Sequence, residues 1–398
     1  QLVVTGTLAG GGTVDLTRSV TVAPPADGQS AVTLVEISET GLIRPLADGS
    51  GSLQLGYAPV AKAQTGTTEQ VVSVSLPVSV VGSGSLPPVD FIRDVNPVLS
   101  KLGCNQGTCH GAAKGKNGFK LSLRGYDPLF DVRAFTDDHG SRRVNLASPD
   151  DSLMLLKASA TVPHTGGLLT RPADADYQLI RRWIEEGANL NQQTAKVTAI
   201  EVSPAAALID LPGGRQQFRV VASYADGSRR DVTRHAFLES GNTEVATVSR
   251  DGLATALRRG EAPILVRYEG SYAAVTLTVM GDREGFVWQQ PETWGPIDEL
   301  VAAKWQAMKI TPAPLADDLA FLRRLTLDLT GLPPTATAVR QFEADHRDTR
   351  IKRAELVARL IGSEEFVEHW TNKWADLLQV NPKFLGKEGA EGLRAWIR

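Results

Sequence analysis

The position of the cysteines is the most constraining feature of this chain. Its 398 residues include only two, Cys104 and Cys109, and both lie in one short segment, with His110 directly after the second. This arrangement excludes a disulfide-dense secreted scaffold, which distributes several cysteine pairs over a small domain. The fold must therefore rest on ordinary hydrophobic cores, for which a hydrophobic fraction of 42% is sufficient.

The segment Cys104-Asn105-Gln106-Gly107-Thr108-Cys109-His110 is a variant of the haem c attachment signature Cys-x-x-Cys-His. Four residues separate the cysteines here instead of two, and a slightly larger loop can still bring both sulfurs to the porphyrin vinyl groups. The second cysteine keeps its adjacent histidine. The sequence therefore predicts one covalent haem c, attached through Cys104 and Cys109, with His110 as the proximal iron ligand.

Two other interpretations of this segment stay open. The cysteines could form a small disulfide loop, or the Cys/Cys/His set could bind a metal ion with a fourth ligand from elsewhere. No second cysteine pair or paired histidine lies nearby in the sequence, which disfavours a zinc site. The haem interpretation is favoured.

A six-coordinate haem needs a second axial ligand, and His139, Met154 and His164 follow the motif. Met154 lies in an apolar helical run, where methionine is more often a packing residue than a ligand. His164 lies in a Pro- and Gly-rich loop that suits a distal ligand. We expect His164 to be that ligand, giving a bis-His iron of lower potential than a His/Met iron. His139, Met154 and an open position remain the alternatives.

Short β-branched runs between Gly- and Pro-rich turns alternate with segments of helical apolar period. This pattern predicts a multidomain fold with four parts. They are a β-sandwich, expected to be Ig-like, over residues 1–85; a small all-α c-type cytochrome domain over 88–192; an Ig-like β-sandwich over 197–281; and an α-helical C-terminal region over 290–398.

Net charge and hydropathy restrict the classes of partner that this chain can have. A net charge of -3 argues against a nucleic-acid binder, and no run of apolar residues is long enough to predict a membrane span. Residues 101–124, which include the motif, carry five basic residues and no acid. This basic rim could steer an acidic redox partner, pair with haem propionates or simply be solvated. The basic residues are Lys101, Lys114, Lys116, Lys120 and Arg124.

The two ends of the sequence suggest that the chain has been processed or shortened. The chain starts directly in strand-like sequence, so either a signal peptide has been removed or the sequence begins inside a longer protein. It ends in a helical pattern at Arg398, which predicts that the C-terminal region is truncated.

The motif segment and Gly118-Phe119-Lys120-Leu121 resemble large planctomycete proteins with an N-terminal c-type cytochrome domain. Segments 142–145, 162–167 and 182–188 extend the resemblance, although the family has a glycine where this chain has Thr165. Residues 198–280 resemble a bacterial Ig-like domain of group 2. Residues 296–398 resemble the start of the domain of unknown function 1549, most clearly in Arg323-Arg324-Leu325-Thr326-Leu327-Asp328-Leu329.

These resemblances imply an exported protein, in the periplasm or at the cell surface, and three functions compete. The leading hypothesis is electron transfer through one haem. The second is a haem-coupled enzyme whose catalytic part lies in the truncated C-terminal region, although 296–398 contains no recognisable catalytic constellation. The third is a binding protein that contacts the cell envelope or polysaccharides.

Overall fold

The computed structural model describes residues 1–8, 12–23, 31–58 and 71–398. Parts of the predicted N-terminal sandwich, residues 9–11, 24–30 and 59–70, lie outside the described residues. The chain divides into two compact units, residues 1–287 and 288–398.

The N-terminal segment consists of short antiparallel strands. Its strands are β1 (Thr5–Thr7), β2 (Thr13–Asp15), β3 (Thr21–Ala23), β4 (Val35–Ile37), β5 (Ile43–Pro45), β6 (Gly49–Tyr57) and β7 (Val72–Val80). The described strands pair as β1-β2, β4-β5 and the sheet β3-β6-β7, in which Leu53 lies opposite Leu76. Leu53 and Val35 are buried in a small core of their own. The segment is therefore all β, as its β-branched composition predicts.

A helical segment follows. A π-helical turn, Phe91–Val95, leads into α1 (Asn96–Lys101), and three further helices are α2 (Pro128–Thr136), α3 (Leu153–Ala158) and α4 (Ala175–Glu185). The Asp127 side chain caps α2 by accepting a hydrogen bond from the Phe130 amide, directly before a proline at the first helical position. The helices bury a shared core around Phe91, Leu155 and Trp183.

The start of α3 departs from the usual interpretation of its sequence. Ser148-Pro149-Asp150-Asp151 is typical of a helix N-terminus, but these acids lie in a separate 3₁₀ turn, Pro149–Asp151, and α3 begins at Leu153. The Ser148 hydroxyl donates to Asp151 at 2.6 Å, a local bond that favours a turn over a continuous helix.

Residues 197–279 form a β-sandwich. Its strands are β8 (Val197–Ser203), β9 (Ala206–Ile209), β10 (Arg215–Gln217), β11 (Arg219–Tyr224), β12 (Arg229–Asp231), β13 (Phe237–Ser240), β14 (Ala246–Val248), β15 (Leu253–Ala256), β16 (Gly260–Tyr268) and β17 (Ser271–Val279). They form the sheets β12-β11-β8, β13-β16-β17-β9 and β10-β15-β14, with β9 parallel to β17. Phe218, Ile264 and Leu277 are buried in the core between them.

The second unit is helical. Its helices are α5 (Pro296–Ala307), α6 (Asp318–Thr330), α7 (Ala336–Glu343), α8 (Thr349–Leu360), α9 (Glu364–Leu377) and α10 (Pro382–Ile397). Gly331 ends α6 in the left-handed conformation, as the Gly-Leu-Pro-Pro sequence predicts. Leu322, Phe342 and Leu356 form its core. Within the described ranges, no helix is both long and apolar enough to cross a membrane.

Candidate functional site

The Cys104–His110 segment folds into a compact loop immediately after α1. The His110 amide donates to the Cys104 carbonyl at 3.0 Å, and the Gly111 amide donates to the Gln106 carbonyl, also at 3.0 Å. A Cβ on Gly111 would lie 2.1 Å from the Asn105 carbonyl oxygen, so only glycine allows this close approach. The loop thus accommodates the four residues between the cysteines and keeps both ends of the motif together.

The two cysteines are not bonded to each other. Cys104 packs against the core of the helical segment, and both thiols are half-buried. Burial raises the pKa of Cys104 to about 12, and the neighbouring Cys109 thiol adds to the rise. A thiolate at Cys104 is therefore disfavoured, and the interpretation of the segment as a disulfide loop stays untested.

His110 is fixed by Phe119. The Nδ1 atom of His110 lies 3.1 Å from the Phe119 carbonyl oxygen, and the two rings pack with centroids 4.6 Å apart. Because a carbonyl can only accept, the proton resides on Nδ1 and the Nε2 lone pair is available. Burial lowers the pKa of His110, although the Phe119 hydrogen bond opposes that shift, and the charges of His164 and Arg143 lower it further.

His164 lies in the loop after α3, close enough to His110 for their charges to interact. Its Nδ1 atom donates to the Gly167 carbonyl at 3.2 Å, which again leaves Nε2 available. A Cβ on Gly166 would lie 2.7 Å from the His164 ring, so this glycine makes room for the imidazole. Lys157 holds the loop by donating to the Pro163 carbonyl at 2.6 Å.

The two alternative distal residues occupy different settings. Met154 is half-buried on α3 and packs against the hydrophobic core, as a structural methionine does. His139 is exposed in the loop after α2. The choice of His164 over both residues stays a prediction.

Phe119 and Arg143 support the site, and their sequence positions alone do not predict this role. Arg143 is buried and stacks on the Phe119 ring at 4.5 Å. Its guanidinium donates to the Ala134 carbonyl at 2.5 Å and to the Gly118 carbonyl at 2.9 Å. The two residues therefore hold the 118–119 backbone that anchors His110. The Gly118-Phe119 pair and segment 142–145, both part of the resemblance, are the sequence features that lie at this contact.

Asp131 supports the same region from α2. Its carboxylate accepts from the Ser122 amide at 2.5 Å and from the Ser122 hydroxyl at 2.7 Å, and it is buried. Burial raises the pKa of Asp131 to about 6, although both hydrogen bonds favour the charged form. The carboxyl group ties α2 to the segment that follows His110.

The basic residues near the motif divide into two groups. Lys114, Lys116 and Lys120 are exposed. Lys101 instead donates to the Arg234 carbonyl of the sandwich, and burial lowers its pKa. Lys101 therefore belongs to an interdomain contact and is not part of an exposed basic rim.

Further polar contacts join the helical segment to the sandwich. Arg230 pairs with Asp94 at 3.0 Å, and the Tyr268 hydroxyl donates to the Arg93 carbonyl at 3.2 Å. Burial opposes ionisation of Asp94, but the Asp90 amide and the two arginines together keep its pKa low. The π-helical turn before α1 is thus held against the sandwich.

The described parts of the chain contain no group of three or more His, Cys, Asp or Glu side chains arranged to hold a metal ion. The acidic and histidine residues of the second unit, such as His369 and Asp376, therefore supply no such set.

The fold defines a multidomain protein with an Ig-like β-sandwich region and a helical C-terminal region. Residues 196–279 match the bacterial Ig-like domain of group 2. Residues 296–398 match PSCyt2, described as a protein of unknown function (DUF1549). None of the curated proteins matches the chain.

Among solved structures, domains 5–6 of the S-layer protein SbsC are 20% identical, over 21% of this chain and 44% of that one, with a TM-score of 0.19. Domains 4 and 5 are 18% identical, over 23% and 54%, with a TM-score of 0.19. Domains 1–6 are 10% identical, over 70% and 23%, with a TM-score of 0.20. The matched part covers about half or less of each of those chains. TM-scores this low carry no argument about fold or function.

Proposed function

We propose that this protein is an exported c-type cytochrome that transfers electrons through one haem, attached at Cys104 and Cys109. The observation that carries the proposal is the closed motif loop. It brings Cys104 next to Cys109, and it presents His110 with Nδ1 engaged by Phe119 and Nε2 available. Proteins usually orient a metal-binding histidine through a hydrogen bond from its other ring nitrogen, the one that does not bind the metal, to a backbone carbonyl or carboxylate.

The surrounding residues fit a haem. Half-buried Phe119, Met154 and Leu169 pack around the core next to Cys104 and supply apolar surface. The Cys104 and Cys109 sulfurs would hold the haem covalently, and His110 Nε2 and His164 Nε2 would bind its iron. When bound, the haem supplies a reversible one-electron couple, Fe(III)/Fe(II).

The protein's own part in that function is positional and electrostatic. Phe119 and Gly167 set the tautomers of the two histidines. Arg143 lies close to the site and adds positive charge, which favours the reduced form of a bound redox centre. Exposed Lys114, Lys116 and Lys120 would attract an acidic redox partner. A location in the periplasm or at the cell surface is part of this proposal.

The test is co-expression of the full chain with a cytochrome c maturation system. We expect an intact mass increased by one haem and, after acid extraction with organic solvent, a pyridine haemochrome spectrum with a c-type α-band. The double variant Cys104→Ala/Cys109→Ala should lose the covalent haem, whereas Thr108→Ala in the same loop should keep it.

Two results would count against the proposal. If the wild-type protein contains no haem and its two thiols form a disulfide, the chain is instead a binding protein with a disulfide loop. Covalent haem combined with rapid peroxide turnover would favour the haem-coupled enzyme.

A further inference from the structure

A groove lies between the motif loop and the sandwich. It has a volume of about 830 Å³, and Gln106, Gly107 and Thr108 of the loop line one side. Residues of β13, β16 and β17 line the other side. The groove is thus next to the cysteines but outside the set of residues assigned to haem.

Two arginines line this groove, and their charges interact. Arg124 comes from the segment after the motif and Arg267 from β16, and both line the groove. Neither forms an ion pair with a carboxylate in the part of the chain that the structure describes. Arg124 donates to the Tyr272 hydroxyl at 3.2 Å, and Arg267 stacks on the Phe237 ring at 4.8 Å. Glu239 also lines the groove; among the described residues it forms no salt bridge with either arginine, but its charge attracts Arg267.

The proximity of the two guanidinium groups has an electrostatic cost. Burial lowers the pKa of Arg267, and the Arg124 charge lowers it further, whereas Tyr272 and Glu239 partly oppose the shift. Arg124 also has a φ of 58°, an uncommon conformation for a residue other than glycine. Its amide donates to the Asn105 carbonyl at 2.9 Å, so the motif loop holds the backbone in this state. An anion between the arginines would relieve their repulsion.

The rest of the lining is largely apolar. Leu123, Leu265 and Tyr272 all line the groove and all are exposed. The volume lies within the range of small-molecule sites, roughly 300–1,000 Å³. An apolar lining with two cations suits a ligand that has a hydrophobic body and one anionic group.

We propose that the groove formed by Gln106–Thr108, Leu123, Arg124, Leu265, Arg267 and Tyr272 binds a small aromatic carboxylate. The carboxylate accepts hydrogen bonds from Arg124 and Arg267, and the ring packs on Leu123, Leu265 and Tyr272. The proposal does not rest on haem, because every residue that it uses is available in the haem-free chain.

The test is isothermal titration calorimetry of the full haem-free chain with 2-naphthoate, compared with the uncharged analogue 2-naphthamide. We expect the naphthoate to bind more tightly than the amide, and added salt to weaken the naphthoate selectively. Each of the variants Arg124→Gln and Arg267→Gln should weaken naphthoate binding about fivefold. Arg250→Gln, an exposed arginine outside the groove, is the matched control and should leave binding unchanged.

A second variant tests the location without altering charge. Ala274 is exposed and lines the groove, so Ala274→Trp should block the ligand while the fold, checked by circular dichroism, stays intact. Equal affinity for naphthoate and naphthamide, or unchanged binding in Ala274→Trp, would overturn the proposal. So would tighter binding of a poly-glutamate peptide with the same arginine dependence, which would assign the groove to an acidic protein segment.

Discussion

The Nδ1 atom of His110 lies 3.1 Å from the carbonyl oxygen of Phe119, nine residues further along the chain. The Leu121 amide donates to the His110 carbonyl at 2.8 Å, so the backbone at residue 110 is hydrogen-bonded to the backbone at residue 121. His110 is therefore fixed by the segment that follows the motif as well as by the motif loop itself. The orientation of its ring depends on whatever holds residues 118–121 in place.

Substitution of His164 tests the distal ligand. In the haem-loaded protein we expect His164→Ala to convert the iron from low to high spin, because one axial nitrogen is lost. Electron paramagnetic resonance and the Soret band measure this change. The matched control is His139→Ala, an exposed histidine of the same segment, which should keep the low-spin spectrum. A spin change in His139→Ala, with none in His164→Ala, would exchange the two roles.

Closure of the motif loop depends on Gly111. A Cβ at this position would lie 2.1 Å from the Asn105 carbonyl oxygen, which is backbone and cannot move aside cheaply. We expect Gly111→Ala to lower the free energy of unfolding by about 2 kcal/mol or more, through distortion of the loop. It should also reduce the yield of covalent haem.

Gly107 provides the control for this substitution. The nearest atom to a Cβ on Gly107 is a side-chain carbon of Leu123 at 3.7 Å, an ordinary contact. Gly107→Ala in the same loop should therefore leave both stability and haem yield close to wild type. Equal behaviour of the two variants in urea unfolding would show that loop closure does not depend on Gly111.

Arg143 is expected to contribute to stability through its buried contacts. Arg143→Met removes two hydrogen bonds to backbone carbonyls and the stacking on Phe119, and it leaves those carbonyls without their partner. We expect a loss of about 2–4 kcal/mol in the free energy of unfolding. Arg142→Met, at an exposed neighbouring position, should change it by less than about 0.5 kcal/mol. Urea denaturation of the two variants makes the comparison.

The local features of the site can be predicted from the sequence, whereas the distant residues that hold the site in place cannot. The motif spacing, the glycines around His164 and the Asp127-Pro128 cap are all readable from neighbouring residues. The role of Arg143 is not, because a buried arginine is uncommon and its partners at 118 and 134 are brought close only by the fold. The prediction that Lys101 is part of a basic rim is wrong because its contact with Arg234 joins two domains, and such a contact cannot be seen in the neighbouring sequence.

The helices likewise include some that the sequence predicts and one that it does not. An apolar period of helical spacing runs through residues 91–102 and through the regions of α3 and α4, and the structure is helical in all three. The helix α2 is not among the predicted helices, although Asp127 and Pro128 form a typical helix start. The four-part domain boundaries, and the assignment of the helical segment to the cytochrome class, stay predictions.

Asp131 makes stability depend on pH. Burial raises its pKa to about 6, above the ordinary value of 3.8, so the folded state holds the proton more tightly than the unfolded chain does. The stabilisation from this group is therefore fully present below pH 4 and is lost as pH rises through about 6. A shift of this size corresponds to about 3 kcal/mol between the two limits. Urea denaturation from pH 4 to pH 7.5 measures this part of the profile.

The variant Asp131→Asn isolates that contribution. The amide resembles the protonated carboxyl group and still accepts from the Ser122 amide, so the decline in stability between pH 4 and pH 7 should become smaller. Asp137→Asn is the control, because Asp137 is exposed just past the end of α2 and should leave the profile unchanged. A profile in Asp131→Asn as steep as that of the wild type would mean that other groups carry the pH dependence. In that case the hydrogen bonds from Ser122 would keep Asp131 charged across the whole range, because they would outweigh its burial.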